Sequence, residues 1–112
     1  MKFEDANMKH SAAAMDRSAK SVSHAGWTYL SNHAHVLVCL TKNPESRLRD
    51  IAEQVGITER AVSRILTELE GSEVIEKHRV GRRNHYTLNR QAPLRHSLES
   101  HASIGDLLKL IV

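Results

Sequence analysis

Between Leu48 and Thr67 the chain reads LRDIAEQVGITERAVSRILT, and this stretch constrains the fold more than any other. Two helices that cross at close range need apolar residues where they touch, a small residue at the crossing, and a residue tolerant of positive φ between them. Counting Leu48 as the first position, Ile51, Val55, Ile57, Val62 and Ile65 are the fourth, eighth, tenth, fifteenth and eighteenth residues. Ala52 is the small residue that permits close approach, and Gly56 turns the chain without a Cβ penalty. All the constrained positions are filled together, so the stretch is read as a helix-turn-helix.

With the segment that follows it, this motif resembles the winged helix-turn-helix of bacterial and archaeal transcription regulators of the MarR and ArsR type. The resemblance covers roughly residues 27 to 90. It implies a DNA-binding dimer in which the second helix of the motif lies in the major groove and a hairpin wing touches the flanking backbone or minor groove. The expected fold class is α+β, mostly helical, with a small antiparallel wing hairpin and a C-terminal dimerisation helix. Three regions are expected: a mobile tail over 1–25, the winged domain over 26–90, and a linker with the C-terminal helix over 91–112.

Thr58 is placed to cap the second motif helix, and Glu59 in its first turn suits the helix dipole. Val62, Ile65, Leu66 and Leu69 repeat at i, i+3, i+4 and i+7, which fixes the buried stripe. By subtraction the other face carries Thr58, Glu59, Arg60, Ser63, Arg64 and Thr67, the side chains a recognition helix offers to base edges and phosphates. A surface pairing of Arg64 with Glu68 is the plainer alternative.

Charge is distributed unevenly. Residues 1–76 carry nine Lys/Arg against eleven Asp/Glu, and residues 91–112 carry two of each. Lys77 to Arg90 holds five basic residues, namely Lys77, Arg79, Arg82, Arg83 and Arg90, and no acid. Charge concentrated in this way is an electrostatic footprint for a polyanion. Lys77 to Val80 and Asn84 to Leu88 read as two strands around a Gly81-Arg82-Arg83 tip, with Tyr86 and Leu88 on one face and His85 and Thr87 on the other. Adjacent tip arginines suit a narrow minor groove, where the negative potential is greatest. Lys77, Arg79, Asn84 and His85 complete the candidate wing contacts.

Around this centre the chain is read in order. Residues 1–25 show no sustained apolar period and are expected to be mobile, with a transient helix near Ala12 to Lys20. Ser31 caps a helix from Asn32 to about Thr41, which Asn43 and Pro44 stop. Trp27, Tyr29 and Leu30 are core anchors for that helix or part of a dimer contact. Arg47 stands where the resemblance implies a Ser or Thr cap, so Ser46 is expected to cap one residue early. Glu45 to Arg47 has room for the short first strand of a winged helix. Gly71 is expected to end the recognition helix in the left-handed conformation, whereas the resemblance implies a glycine at the position of Glu73. Ser103 and Asp106 form a capping-box pair, and Ile104, Leu107, Leu108 and Ile111 line one face of a terminal helix that either folds back on its own domain or, as the resemblance implies and as is expected here, joins a two-fold dimer.

Composition narrows the remaining classes. With four aromatic residues in 112, the core must be aliphatic. No apolar run approaches the roughly 18 residues of a membrane span, and a cytoplasmic location with no membrane partner is expected. The single Cys39 lies in an apolar helical pattern and reads as a buried, inert thiol. Eight histidines raise a metal-responsive alternative, with His96, His101, Asp106, His10 and His24 as candidate ligands across a dimer. No cysteine-containing metal motif accompanies them, so neither a metal nor another cofactor is expected. No nucleophile, phosphate-cradling loop or paired carboxylate supports catalysis. The expected function is a dimeric, sequence-specific DNA-binding transcriptional regulator, with a winged-helix protein-interaction module as the alternative. A small-molecule effector is not specified.

Overall fold

The computed structural model describes residues 26–112, so the readings of residues 1–25, including the mobile tail and His10 and His24, lie outside the described residues. Ser31 opens α1 (Asn32–Lys42), its hydroxyl accepting from the Ala34 backbone N–H at 3.3 Å. Asn43, preceding proline, takes extended angles and ends it. Val36, Leu37, Cys39 and Leu40 form the buried stripe of α1.

The expected Ser46 cap does not form. Ser46 is buried, and its hydroxyl donates to the Asn43 carbonyl at 2.8 Å. Arg47 is instead the N-cap of α2 (Leu48–Val55). A guanidinium only donates, so it cannot accept from the helix amides. Asp50 supplies the compensating contact, its carboxylate accepting from the Arg47 backbone N–H at 3.4 Å and lying 3.5 Å from Arg47 Nε. Ile51 and Ala52 are buried, and Gly56 closes the helix at φ +87°. Thr58 then caps α3 (Glu59–Gly71), accepting from the Ala61 N–H at 3.0 Å. Val62, Ile65, Leu66 and Leu69 are all buried against α1 and α2, as their spacing requires.

The end of α3 differs from expectation. Gly71 stays helical, and Glu73 is the residue in left-handed space, at φ +64°. The Val74 N–H returns to the Leu69 carbonyl at 2.9 Å and the Glu73 N–H to Glu70 at 3.0 Å, the paired bonds of a Schellman ending. Val74 and Leu69 are both buried, so an apolar contact holds a non-glycine residue in a conformation it ordinarily avoids.

Strands β1 (Ile75–Val80) and β2 (Arg83–Leu88) pair antiparallel, with Ile75 opposite Leu88 and Val80 opposite Arg83. The connection is two residues, Gly81 and Arg82, rather than the expected three. Gly81 has φ +63° and Arg82 does not, the combination that a type II′ hairpin turn needs. No strand forms over Glu45–Arg47, because the Ser46 N–H turns back to Asn43 at 3.1 Å. One bond replaces the missing pairing, from the Tyr86 N–H to the Pro44 carbonyl at 2.9 Å.

After the hairpin the chain doubles back on itself. Leu94 N–H meets Ala102 O at 2.9 Å, Ile104 N–H meets Ala92 O at 2.8 Å, and Gly105 N–H meets Arg90 O at 2.8 Å. The loop delivers α4 (Ile104–Ile111), whose Ser103 and Asp106 form the reciprocal capping box. Of the four residues expected on a dimer face, two are taken up inside the chain. Ile104 and Leu108 are buried in the chain's own core, Leu107 is half-buried, and only Ile111 of the four is exposed. Ile104 and Leu108 share one narrow side of the helix, and burying them contributes about 1.5–3 kcal/mol each. Trp27 and Tyr29 are likewise not core anchors: they stand 70% and 92% exposed, ring edge to ring face with centroids 5.0 Å apart. The four helices and one hairpin among the described residues make an α+β winged-helix layout. None of these helices is long and apolar enough to cross a membrane.

Candidate nucleic-acid interface

A helix that buries Val62, Ile65, Leu66 and Leu69 presents the residues between them to solvent. Arg60, Ser63, Arg64 and Thr67 occupy the centre of that outward face, and all four are exposed, as are Thr58 and Glu59 at its start. The Thr67 hydroxyl donates to the Ser63 carbonyl at 3.0 Å, which leaves its lone pairs facing out. No large exposed apolar side chain lies on α3.

Arg64 is not isolated on this face. Its Nη1 lies 3.4 Å from Glu68 Oε2, one helical turn on, so the surface pairing is formed. The other oxygen of Glu68 meets His33 Nε2 of α1 at 2.7 Å. That hydrogen bond is the main reason the Glu68 carboxyl is held below its ordinary range, with Arg64 reinforcing it. The carboxylate therefore ties the centre of the outward face to α1, across thirty-five residues of sequence.

The hairpin register sorts the wing residues onto two faces. Lys77, Arg79 and Asn84 alternate with Ile75, Tyr86 and Leu88 on the face that enters the core, while Arg83, His85 and Thr87 share the opposite face with Glu76, His78 and Val80. Tyr86 is buried, and burial pushes its phenol pKa up, partly offset by a hydrogen bond from Asn84. Arg82 alone of the two expected tip arginines lies in the loop. Arg83 is the first residue of β2, and its Nη1 donates to the Glu45 backbone carbonyl at 2.9 Å. His85 Nδ1 lies 3.4 Å from the Glu45 carboxylate. Arg79 is turned along its own strand, Nε donating to the Gly81 carbonyl at 3.2 Å.

The sequence reading missed Glu45 and His78, and it had Glu68 only as a partner of Arg64 and not of His33. Glu45 and Glu68 act through residues far away in the chain, which no local spacing exposes. His78 was accessible, because its opposition to His85 follows once the hairpin loop is placed at Gly81 and Arg82. His96, His101 and Asp106 do not join into a metal-holding group, and no cluster of three or more such ligands exists among the described residues. Cys39 is buried with its thiol toward Gln54 Oε1 at 3.4 Å, and burial raises its pKa.

Comparison with known proteins places the chain as follows. An uncharacterized protein of Methanocaldococcus jannaschii, MJ1254, is 31% identical over 67 residues, which is 59% of this chain and only 14% of that protein. A cysteine-to-serine mutant of ZitR from Lactococcus lactis aligns structurally with 25% identity and a TM-score of 0.49, covering 68% of this chain and 53% of ZitR. The same mutant solved in complex with DNA aligns with 25% identity and a TM-score of 0.47, over 70% and 55%. Residues 29–89, more than half of the chain, match the family described as a domain of unknown function, DUF7343, and the chain belongs to that family.

Proposed function

We propose that this protein is a DNA-binding transcriptional regulator of the MarR/ArsR type, working in the cytoplasm as a homodimer on an operator where it blocks or recruits polymerase. One observation carries the reading. The outward face of α3 is polar and cationic at its centre, with Arg60, Ser63, Arg64 and Thr67 exposed on a helix whose opposite side is locked into the core. Such a helix is rigid enough to keep register in a major groove and has the donors that base edges and phosphates accept. An interaction module would be expected to place large apolar side chains there.

The wing adds sequence-independent affinity. Arg82 at the turn, Lys77 and Arg79 on one face, and Arg83 on the other bring positive charge to phosphates, and Asn84 and His85 help position the backbone. With Ile104 and Leu108 buried internally, dimerisation is assigned to exposed apolar groups flanking the winged core. These are Leu110, Ile111 and Val112 at the end of α4, with Trp27 and Tyr29 before α1.

Competition between a duplex from the gene's own upstream region and random duplex tests the base-reading role. Replacing Arg60 and Arg64 by Ala should remove most of the preference and leave weak, non-specific binding. An undiminished preference would argue against α3 as the reading element. Light scattering of the intact chain and of Leu110→Glu tests the dimer: the reading requires two copies in the first and one in the second.

A further inference from the structure

The face of the wing that carries Arg83 also carries two histidines, only one of which the reading above uses. His78 on β1 and His85 on β2 are directly opposed in the antiparallel register, which puts their Cβ atoms within about 5.5 Å of each other. Each ring has a carboxylate beside it. His78 Nε2 lies 3.6 Å from Glu76 Oε1, and His85 Nδ1 lies 3.4 Å from Glu45 Oε2. Both side chains keep close to half of their surface in solvent, 47% for His78 and 40% for His85.

The charged groups that meet this pair come from three elements: Glu76 from β1, Arg83 from β2, and Glu45 from the turn before α2. Val80 and Thr87 complete the face without charge. With both rings neutral, two carboxylates outnumber one guanidinium, and the face repels a phosphate. With both protonated, three cations outnumber two carboxylates, and the sign of the face reverses. Imidazole makes that change between about pH 5 and 8.

We propose that the opposed His78 and His85 form a proton-gated contact for a phosphodiester backbone on the outer face of the wing. This rests on the DNA-binding reading and assigns to the wing a role in regulating it. A phosphate beside the pair favours the protonated rings, so binding takes up protons and affinity must rise as pH falls. Glu45 ties the gate to the fold, because the residue that partners His85 also receives Arg83 on its carbonyl.

The test is fluorescence anisotropy with the full chain and a labelled duplex at fixed salt, at pH 5.5, 6.5 and 8.0, for the parent, the double variant His78→Gln/His85→Gln, and His33→Gln. The parent should bind about tenfold tighter at pH 5.5 than at 8.0, because binding takes up protons at the pair. The double variant should gain little affinity on acidification. His33→Gln should keep the full pH response. An undiminished response in the double variant overturns the proposal. So does a response lost only in His33→Gln, which would place the titrating group at the α1–α3 contact. Absence of binding by the parent at every pH would instead overturn the DNA-binding reading itself. If the double variant fails to fold, His78→Gln alone serves, with roughly half of the response on a logarithmic scale expected to disappear.

Discussion

Arg83 donates from its guanidinium to the backbone carbonyl of Glu45 at 2.9 Å, across thirty-eight positions of sequence. This contact distinguishes it from Arg82, which lies in the turn. Arg82→Ala should flatten the dependence of log affinity on log salt by about one unit, as loss of a single phosphate contact does, and leave the melting temperature unchanged. Arg83→Ala should lower stability by about 0.5–1.5 kcal/mol through the lost hydrogen bond. Salt titrations and thermal melts of the two variants separate the roles, and identical behaviour in both assays would contradict the division.

Glu68 sets a negative charge beside Arg64 at the centre of the outward face of α3. Its carboxyl is held below the ordinary range, so it stays ionised throughout the neutral range and also opposes any approaching phosphate. Glu68→Gln should therefore strengthen binding to specific and random duplex alike, by a few-fold at low salt. Arg64→Ala should cost about 1–3 kcal/mol on the specific duplex and much less on random DNA. Weaker binding by Glu68→Gln would mean that the carboxylate positions Arg64 instead of competing for it.

Glu73 pays for its left-handed backbone. Glu73→Gly should relieve about 1 kcal/mol of that cost, visible as a higher denaturant midpoint with an unchanged slope. Gly71, helical and with nothing within 4 Å of where a Cβ would stand, should accept Ala with a gain of about 0.5 kcal/mol. Loss of stability in both would place the strain elsewhere.

Gly105 is required for a different reason. A Cβ there would stand 2.9 Å from the Arg90 carbonyl oxygen, which already accepts the Gly105 N–H. Gly105→Ala should push α4 away from the hairpin exit and destabilise the chain by about 1–3 kcal/mol. Increased amide exchange at Leu107 and Leu108 would report the undocking, and unaltered exchange would contradict it.

The sequence made the central motif legible because its constraints are local. The spacing of Val62, Ile65, Leu66 and Leu69 fixes a buried stripe, and with it the outward side chains, without reference to any other element. The capping box at Ser103 and Asp106 was legible for the same reason. What remained hidden depends on contacts distant in sequence. The fate of Ile104 and Leu108 turned on whether α1 had apolar surface to receive them, and an apolar helix face reads the same whether its partner is its own domain or another copy. Trp27 and Tyr29 had two readings, core anchor or dimer contact, and only their exposure in the folded chain removes the first. The bifurcated role of Glu45, one oxygen for Arg83 and a carboxylate for His85, has no signature in its neighbours at all.

The most direct measurement is the affinity of the intact chain for duplex DNA from its own upstream region and for a scrambled duplex of equal length, each at about 50 and 200 mM salt. The regulator reading predicts tighter binding to the upstream duplex, with both affinities falling steeply as salt rises. Binding to neither duplex, or binding indifferent to salt, would contradict it.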